Sequence, residues 1–260
     1  MKIAISGKGG VGKSTVAAAF ILLMARRGMR VLAIDADPDS NLASALGIAE
    51  KERCKIVPIS RQRALIEERT GAKVRQYGQM FKLNPEVADI AEKYAYIHNG
   101  IALLVLGAIE QGGSGCACPE SVLIRHLVAD LILYKDDALV MDMEAGIEHL
   151  GRSTVSGVDT LLVVVEPGQR SLESAQRIRQ MAHDIGLDKI KYIANKVVSS
   201  GDEAFIRKAL PAGDIIGVVP YSDTLRRIDR DGMSVIDGMD KALYATFENM
   251  LDKLIDISKH

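Results

Sequence analysis

Eight consecutive residues carry the strongest chemical signal in the chain: Gly7-Lys8-Gly9-Gly10-Val11-Gly12-Lys13-Ser14 fits the pattern G-x-x-x-x-G-K-S/T. Residues without side chains let successive backbone N–H groups close around phosphate oxygens, and a helix starting near Lys13 adds the positive end of its dipole. Lys13 can then reach the β and γ phosphates, while the Ser14 hydroxyl can ligate Mg²⁺. Gly9, Gly10, Val11, Gly12, Lys13, Ser14 and Thr15 are therefore the expected contacts to ATP or ADP. Gly7, Gly9 and Gly12 also spell G-x-G-x-x-G, with Asp35 closing the next strand at about the distance of a ribose-binding acid, which is a dinucleotide pattern. Lys13 and Ser14 weigh against it, because a Rossmann loop keeps pyrophosphate near neutral backbone whereas Mg-triphosphate needs a cation and a hydroxyl.

Two acids belong to the same chemistry. Asp37, in Asp35-Ala-Asp37-Pro38, and Asp142, ending Ala138-Leu-Val-Met-Asp142, both emerge where open α/β sheets bind ligands, at the carboxyl ends of strands. Asp142 suits Mg²⁺ held through water, Asp37 suits the attacking water or a metal-bound one, and Gly146 leaves the following loop free to respond to the γ phosphate. The other candidates are thiols and imidazoles. Cys116 and Cys118 sit between Gly112-Gly-Ser-Gly and Pro119, a stretch that resists both helix and strand, so their thiols are expected near the surface. They could hold metal, form a redox pair or lie idle. Cys54 reads as an incidental thiol, His126 as a half-buried packing residue on a helix, and Met141 and Met143 as core. His149 follows the Asp142 loop, where relaying nucleotide state and plain solvation are both open.

The elements that must position these residues are written in the apolar pattern. Val/Ile/Leu-rich runs at Lys2–Ser6, Arg30–Asp35, Ile101–Gly107, Ala138–Asp142, Thr160–Glu166, Lys191–Asn195 and Asp214–Pro220 read as strands buried on both faces. Helical periodicity marks Lys13–Arg27, Glu120–Tyr134, Ser171–Ile185 and Lys241–Ser258. The alternation predicts an α/β fold, a single doubly wound and mostly parallel sheet with helices on both faces, formed by residues 1–260 as one domain. Ala49–Asn99 has no clear period and is expected only as helical excursions beside the site. A net charge of -1, from 33 basic and 34 acidic residues, offers no general field for nucleic acid or anionic membrane. Met1-Lys2 running straight into a strand leaves no room for a signal peptide, and the apolar run Val16–Ala25 is about half the ~20 residues of a membrane span, so a cytoplasmic protein is expected.

Residues Gly7–Thr15 resemble the deviant P-loop of the MinD, ParA and nitrogenase-iron-protein superfamily of P-loop NTPases (the SIMIBI class), which carries a second lysine. The resemblance implies Mg-dependent ATP hydrolysis by a homodimer, with Lys8 crossing the interface to the partner's phosphates much as an arginine finger does. It makes Asp37-Pro38 the first switch and Asp142–Gly146 the second. Asn195-Lys196, with Pro220, would line the base pocket. Three stretches, Asp35–Asn41, Gly112–Cys118 and Met141–His149, are similar to the nickel-inserting CooC type and its acetyl-CoA synthase counterpart AcsF. That likeness implies a metallochaperone whose client is carbon monoxide dehydrogenase or acetyl-CoA synthase. Two thiolates from one chain leave a divalent ion undercoordinated, whereas Cys116 and Cys118 from two subunits supply four sulfurs, for tetrahedral Zn²⁺ or, if flattened, Ni²⁺. Nickel comes from the resemblance alone. The alternative is an electron-transfer protein like the nitrogenase iron protein, with a cluster bridging two subunits, although that arrangement uses well-separated cysteines. Membrane organisers of the MinD kind need a basic amphipathic C-terminal helix; here Lys241, Lys253 and Lys259 are balanced by Glu248, Asp252 and Asp256.

Overall fold

The structure, a computed structural model, describes residues 1–74, 79–108, 118–134, 138–147, 150 and 154–259. Eight strands form one sheet: β1 (Lys2–Ser6), β2 (Val31–Ala36), β3 (Tyr96–His98), β4 (Ile101–Val105), β5 (Ala138–Met143), β6 (Thr160–Val165), β7 (Ile190–Val197) and β8 (Ile215–Pro220). Their order is β3-β4-β2-β5-β1-β6-β7-β8, and every pairing is parallel except β3 with β4. The helices are α1 (Lys13–Arg26), α2 (Leu42–Ala45), α3 (Glu50–Arg53), α4 (Arg63–Thr70), α5 (Ile90–Tyr94), α6 (Pro119–Tyr134), α7 (Gln169–Asp184), α8 (Ser200–Ala209), α9 (Asp223–Arg230) and α10 (Lys241–Ser258).

Alternate residues of the central strands feed two separate cores, as strands covered on both faces require. Ile3 and Ile5 of β1, Val31 and Ala33 of β2, and Leu162 and Val164 of β6 pack with α1, α2 and α10. Ala4, Leu32, Ile34, Leu161 and Val163 face the other way, toward α4, α6, α7 and α8. Helix α1 lies deep in the first layer, with Val16 through Met24 all buried. The apolar stripe of α10 closes over it: Phe247 meets Phe20 edge to face, ring centroids 6.0 Å apart. This helix is thus part of the core. No helix among the described residues is long and apolar enough to cross a membrane.

The expected strands and long helices are present with ends shifted by a residue or two; Asp142, for instance, lies inside β5 rather than at its end. Residues 49–99 are richer than expected, holding α3, α4, α5 and the edge strand β3, which pairs antiparallel with β4. Helices α8 and α9 are further elements that the apolar pattern does not mark. A capping box announces α8, with Ser199 accepting from the Asp202 amide and Asp202 accepting in return. Ser222 similarly caps α9 through the Leu225 amide.

Candidate functional site

Chain and sheet geometry place the glycine loop where β1 stops, at the carboxyl edge of the sheet. The loop lies against β6: a Cβ on Gly7 would strike the Val164 carbonyl oxygen, and Gly7 itself has φ +152°. Gly12 (φ +97°) turns the chain into α1, whose first turn has neither a side-chain cap nor an acid, so its amides are left for a bound anion. A Cβ on Gly12 would collide with the Asn195 amide, which donates to the Val11 carbonyl at 2.7 Å.

That contact gives a direct test of how the loop is held. Gly12→Ala should cost roughly 1–3 kcal/mol through strained backbone and the clash, and Asn195→Ala about 1 kcal/mol through the lost hydrogen bond. Combined, they should cost less than the sum, because the second change removes the obstacle met by the first. Chemical denaturation of the three variants measures this; strict additivity would show that Asn195 is not the obstacle.

Beneath the loop lie three carboxylates and one buried cation. Asp35 and Asp142 are register neighbours on β2 and β5 and both are fully buried. Lys13 Nζ lies 3.6 Å from Asp37 Oδ2, with only 6% and 14% of the two side chains exposed. Burial pushes the Asp35 carboxyl up to about 8, with Asp142 adding to the rise, although the amides of Leu42 and Asp37 donate to it at 3.2 and 3.3 Å and pull it back. Burial likewise raises Asp142 to about 7, against the lowering influence of Ser14 and Lys13. Ser14 is near enough to lower it but does not make a hydrogen bond of ordinary geometry: among the described residues both Asp142 oxygens are buried without a partner. Orphaned buried carboxylate oxygens call for a cation or a cation-bound water, and Ser14, Asp37 and Asp142 are the all-oxygen set that Mg²⁺ prefers. These residues fit the ion expected with the nucleotide.

The loop leaving β5 is tied to the same strand that delivers the glycine loop. The Ser6 hydroxyl reaches the Glu144 and Gly146 carbonyls at 3.0 and 2.8 Å. Lys8 is turned elsewhere, to Glu166 Oε1 at 3.8 Å. Asn195, Lys196 and Pro220 do come together, since Val197 pairs with Pro220 at the ends of β7 and β8. However, the Asn195 amide nitrogen is committed to the glycine loop and the Lys196 ammonium donates to the Gly10 carbonyl. Both residues therefore buttress the loop.

Cys118 is half-buried, and its carbonyl accepts from the Val122 amide at 3.1 Å, which places it just before Pro119 at the start of α6. Cys116 and His149 lie outside the described residues. Cys54 is exposed at the end of α3. His126 is half-buried and lines a surface hollow of about 670 Å³ with Arg69, Asp89 and Asp130, while Met141 and Met143 are core. Glu166 is a site residue that the sequence alone does not single out, and Asp35 enters there only as the ribose-binding acid of the dinucleotide pattern, not as the neighbour of Asp142. A lone acid closing an apolar strand is the signal available for each.

Comparison with known proteins agrees with this geometry. The family model described as the CobQ/CobB/MinD/ParA nucleotide binding domain matches residues 2–235. The carbon monoxide dehydrogenase accessory protein CooC of Rhodospirillum rubrum is 44% identical over 237 residues, covering 91% of this chain and 90% of the relative. An uncharacterised ATP-binding protein of Methanocaldococcus jannaschii is 46% identical over 225 residues, 86% of each chain. Among solved structures, the MinD cell division protein of Aquifex aeolicus superposes with a TM-score of 0.65 at 22% identity over 98% of both chains. A ParA family ATPase of Chlorobium tepidum gives 0.66 at 19% identity over 98% of this chain and 97% of that one. At such identity these structures speak for the fold alone. The chain belongs to the CobQ/CobB/MinD/ParA nucleotide-binding family and, within it, groups with the CooC-type accessory proteins.

Proposed function

We propose that residues 1–260 act as one P-loop NTPase domain, an ATP-hydrolysing metallochaperone that works as a cytoplasmic homodimer. Its cargo is Ni(II), or Zn(II), carried between two subunits on Cys116 and Cys118, and its client is a carbon monoxide dehydrogenase or an acetyl-CoA synthase. The observation that carries this reading is the 44% identity to the CooC accessory protein over nine-tenths of both chains. The electron-transfer alternative is not favoured, since that relative is named as an accessory to another enzyme and Cys54, the remaining thiol, is exposed and remote in sequence.

Each part of the site has a role in this scheme. Lys13 and the α1 amides bind the phosphates, and Ser14, Asp37 and Asp142 hold Mg²⁺, which neutralises charge on the transferred group. Asp37 orients the attacking water, and Lys8 comes from the partner subunit in the transition state. The Ser6 bonds to Glu144 and Gly146 support coupling between the glycine loop and the loop after β5. Helix α6 starts beside Cys118 and packs Leu123, Leu127 and Leu131 into the sheet core, giving the nucleotide edge a mechanical route to the thiols.

Metal analysis and size exclusion with and without Mg-ADP, Mg-ATP, Ni²⁺ and Zn²⁺ test the proposal. One ion per dimer is expected, lost in Cys116→Ala or Cys118→Ala while Mg-ATP still protects against thermal unfolding. A variant lacking both thiols that still binds one ion per dimer with unchanged affinity sinks the cargo site, and a brown, oxygen-sensitive protein would point to the cluster instead.

A further inference from the structure

The carboxylate of Glu166 sits between two lysines of its own subunit. Lys8 Nζ is 3.8 Å from one oxygen and Lys196 Nζ 3.3 Å from the other. Glu166 is held in place from behind: it follows β6 directly, and its backbone N–H donates to the Ser171 hydroxyl at 3.0 Å. Lys196 is also anchored, by left-handed backbone (φ +57°) where the β7–β8 ladder shifts register and by its bond to the Gly10 carbonyl. Lys8 has Glu166 as its ion-pair partner among the described residues, at the outer limit of such a pair, and 39% of its side chain is exposed.

One carboxylate facing two ammonium groups leaves a surplus positive charge. If Lys8 departs, Glu166 keeps Lys196 and no charge is stranded, so departure costs only a solvent-screened pair. If Lys196 were missing, Lys8 would be the only ammonium of these two left to balance that carboxylate. The arrangement thus holds Lys8 lightly, away from the Lys13–Asp37 pocket of its own chain, and makes its release cheap.

We propose that Glu166 is a positioning residue that parks Lys8 on its own subunit and releases it to the nucleotide of a second copy, with Lys196 staying behind as counterion. This rests on the trans role of Lys8 given above. Parking opposes assembly, so neutralising Glu166 strengthens it and removing Lys196 weakens it. A structural role for Glu166 would not produce that opposition of sign.

The test is the dimer dissociation constant by sedimentation velocity of the full chain at saturating Mg-AMPPNP. Glu166→Gln should associate about two- to five-fold more tightly than wild type, the range for an exposed ion pair. Glu166→Asp, which restores the charge, should return toward wild type, and the Glu166→Gln gain should shrink in high salt. In a Lys8→Ala background the gain should vanish, and Lys196→Met should shift association the opposite way. Unchanged or weaker association of Glu166→Gln overturns the proposal, as does an equal gain without Lys8 or a Lys196→Met protein that associates as tightly as Glu166→Gln. Failure of the trans reading shows separately, as normal ATP turnover by Lys8→Ala.

Discussion

A Lys8→Ala protein should bind Mg-ATP with near wild-type affinity yet hydrolyse it about 10³–10⁵-fold more slowly, the range associated with a finger residue in phosphoryl transfer. Lys13→Ala should lose binding and turnover together. The two lysines are close in sequence but occupy different surroundings. Lys13 is buried, 3.6 Å from Asp37, directly over the carboxylates of the site. Without it, Asp37 loses its cation and the two acids Asp37 and Asp142 repel incoming phosphates, so ground-state binding fails. Lys8 is half-exposed and paired with Glu166, outside that pocket, so its removal spares the ground state. A group that acts only in the transition state lowers kcat and kcat/KM alike. Calorimetric titration and single-turnover hydrolysis separate the two cases. If Lys8→Ala turns over at the normal rate, the trans assignment is wrong.

How much of this is legible in the sequence depends on how local each feature is. The glycine loop is legible because its chemistry is contiguous, and the central strands because burial on both faces makes them near-continuous apolar runs, broken in β2 and β5 only by the site acids Asp35 and Asp142. Strand β3 has only three residues, one of them, Ile97, exposed at 66%, so no period could reveal it. The site features that escape are those made by pairing distant strands. Asp35 acquires its partner Asp142 because β2 lies beside β5, and Glu166 acquires Lys8 and Lys196 because β6 lies between β1 and β7. Asn195 shows a subtler limit. The sequence places it after a strand in what resembles a base-contacting segment, whereas it lies inside β7 with its amide nitrogen used on Val11. Only the three-dimensional approach of β7 to the glycine loop could show that.

The paired acids Asp35 and Asp142 should make the nucleotide-free protein lose stability as pH rises, the reverse of ordinary acid denaturation. Both carboxyls hold their protons more tightly in the folded chain, at about 8 and about 7, than at the ordinary 3.8 of the unfolded one, because burial disfavours the charged form. Between those values the native state binds more protons than the unfolded state, so unfolding free energy falls as pH climbs. The stability these groups contribute is complete below about pH 3.8 and is lost as pH passes through 7 and 8. Since holding a proton tenfold more tightly is worth about 1.4 kcal/mol, the loss is on the order of several kcal/mol, or roughly 10–20 °C in Tm for a chain of this size. Thermal unfolding between pH 5 and 9, without nucleotide or metal, measures it. Asp142→Asn removes one titration and the repulsion it exerts on Asp35, so its Tm should vary less with pH and exceed wild type at the alkaline end. Mg-ADP should stabilise wild type more at pH 8.5 than at pH 6, because the carboxylates that receive the cation are then already ionised and no proton need be displaced. An Asp142→Asn protein whose Tm follows pH as steeply as wild type would show that the buried pair is not the source.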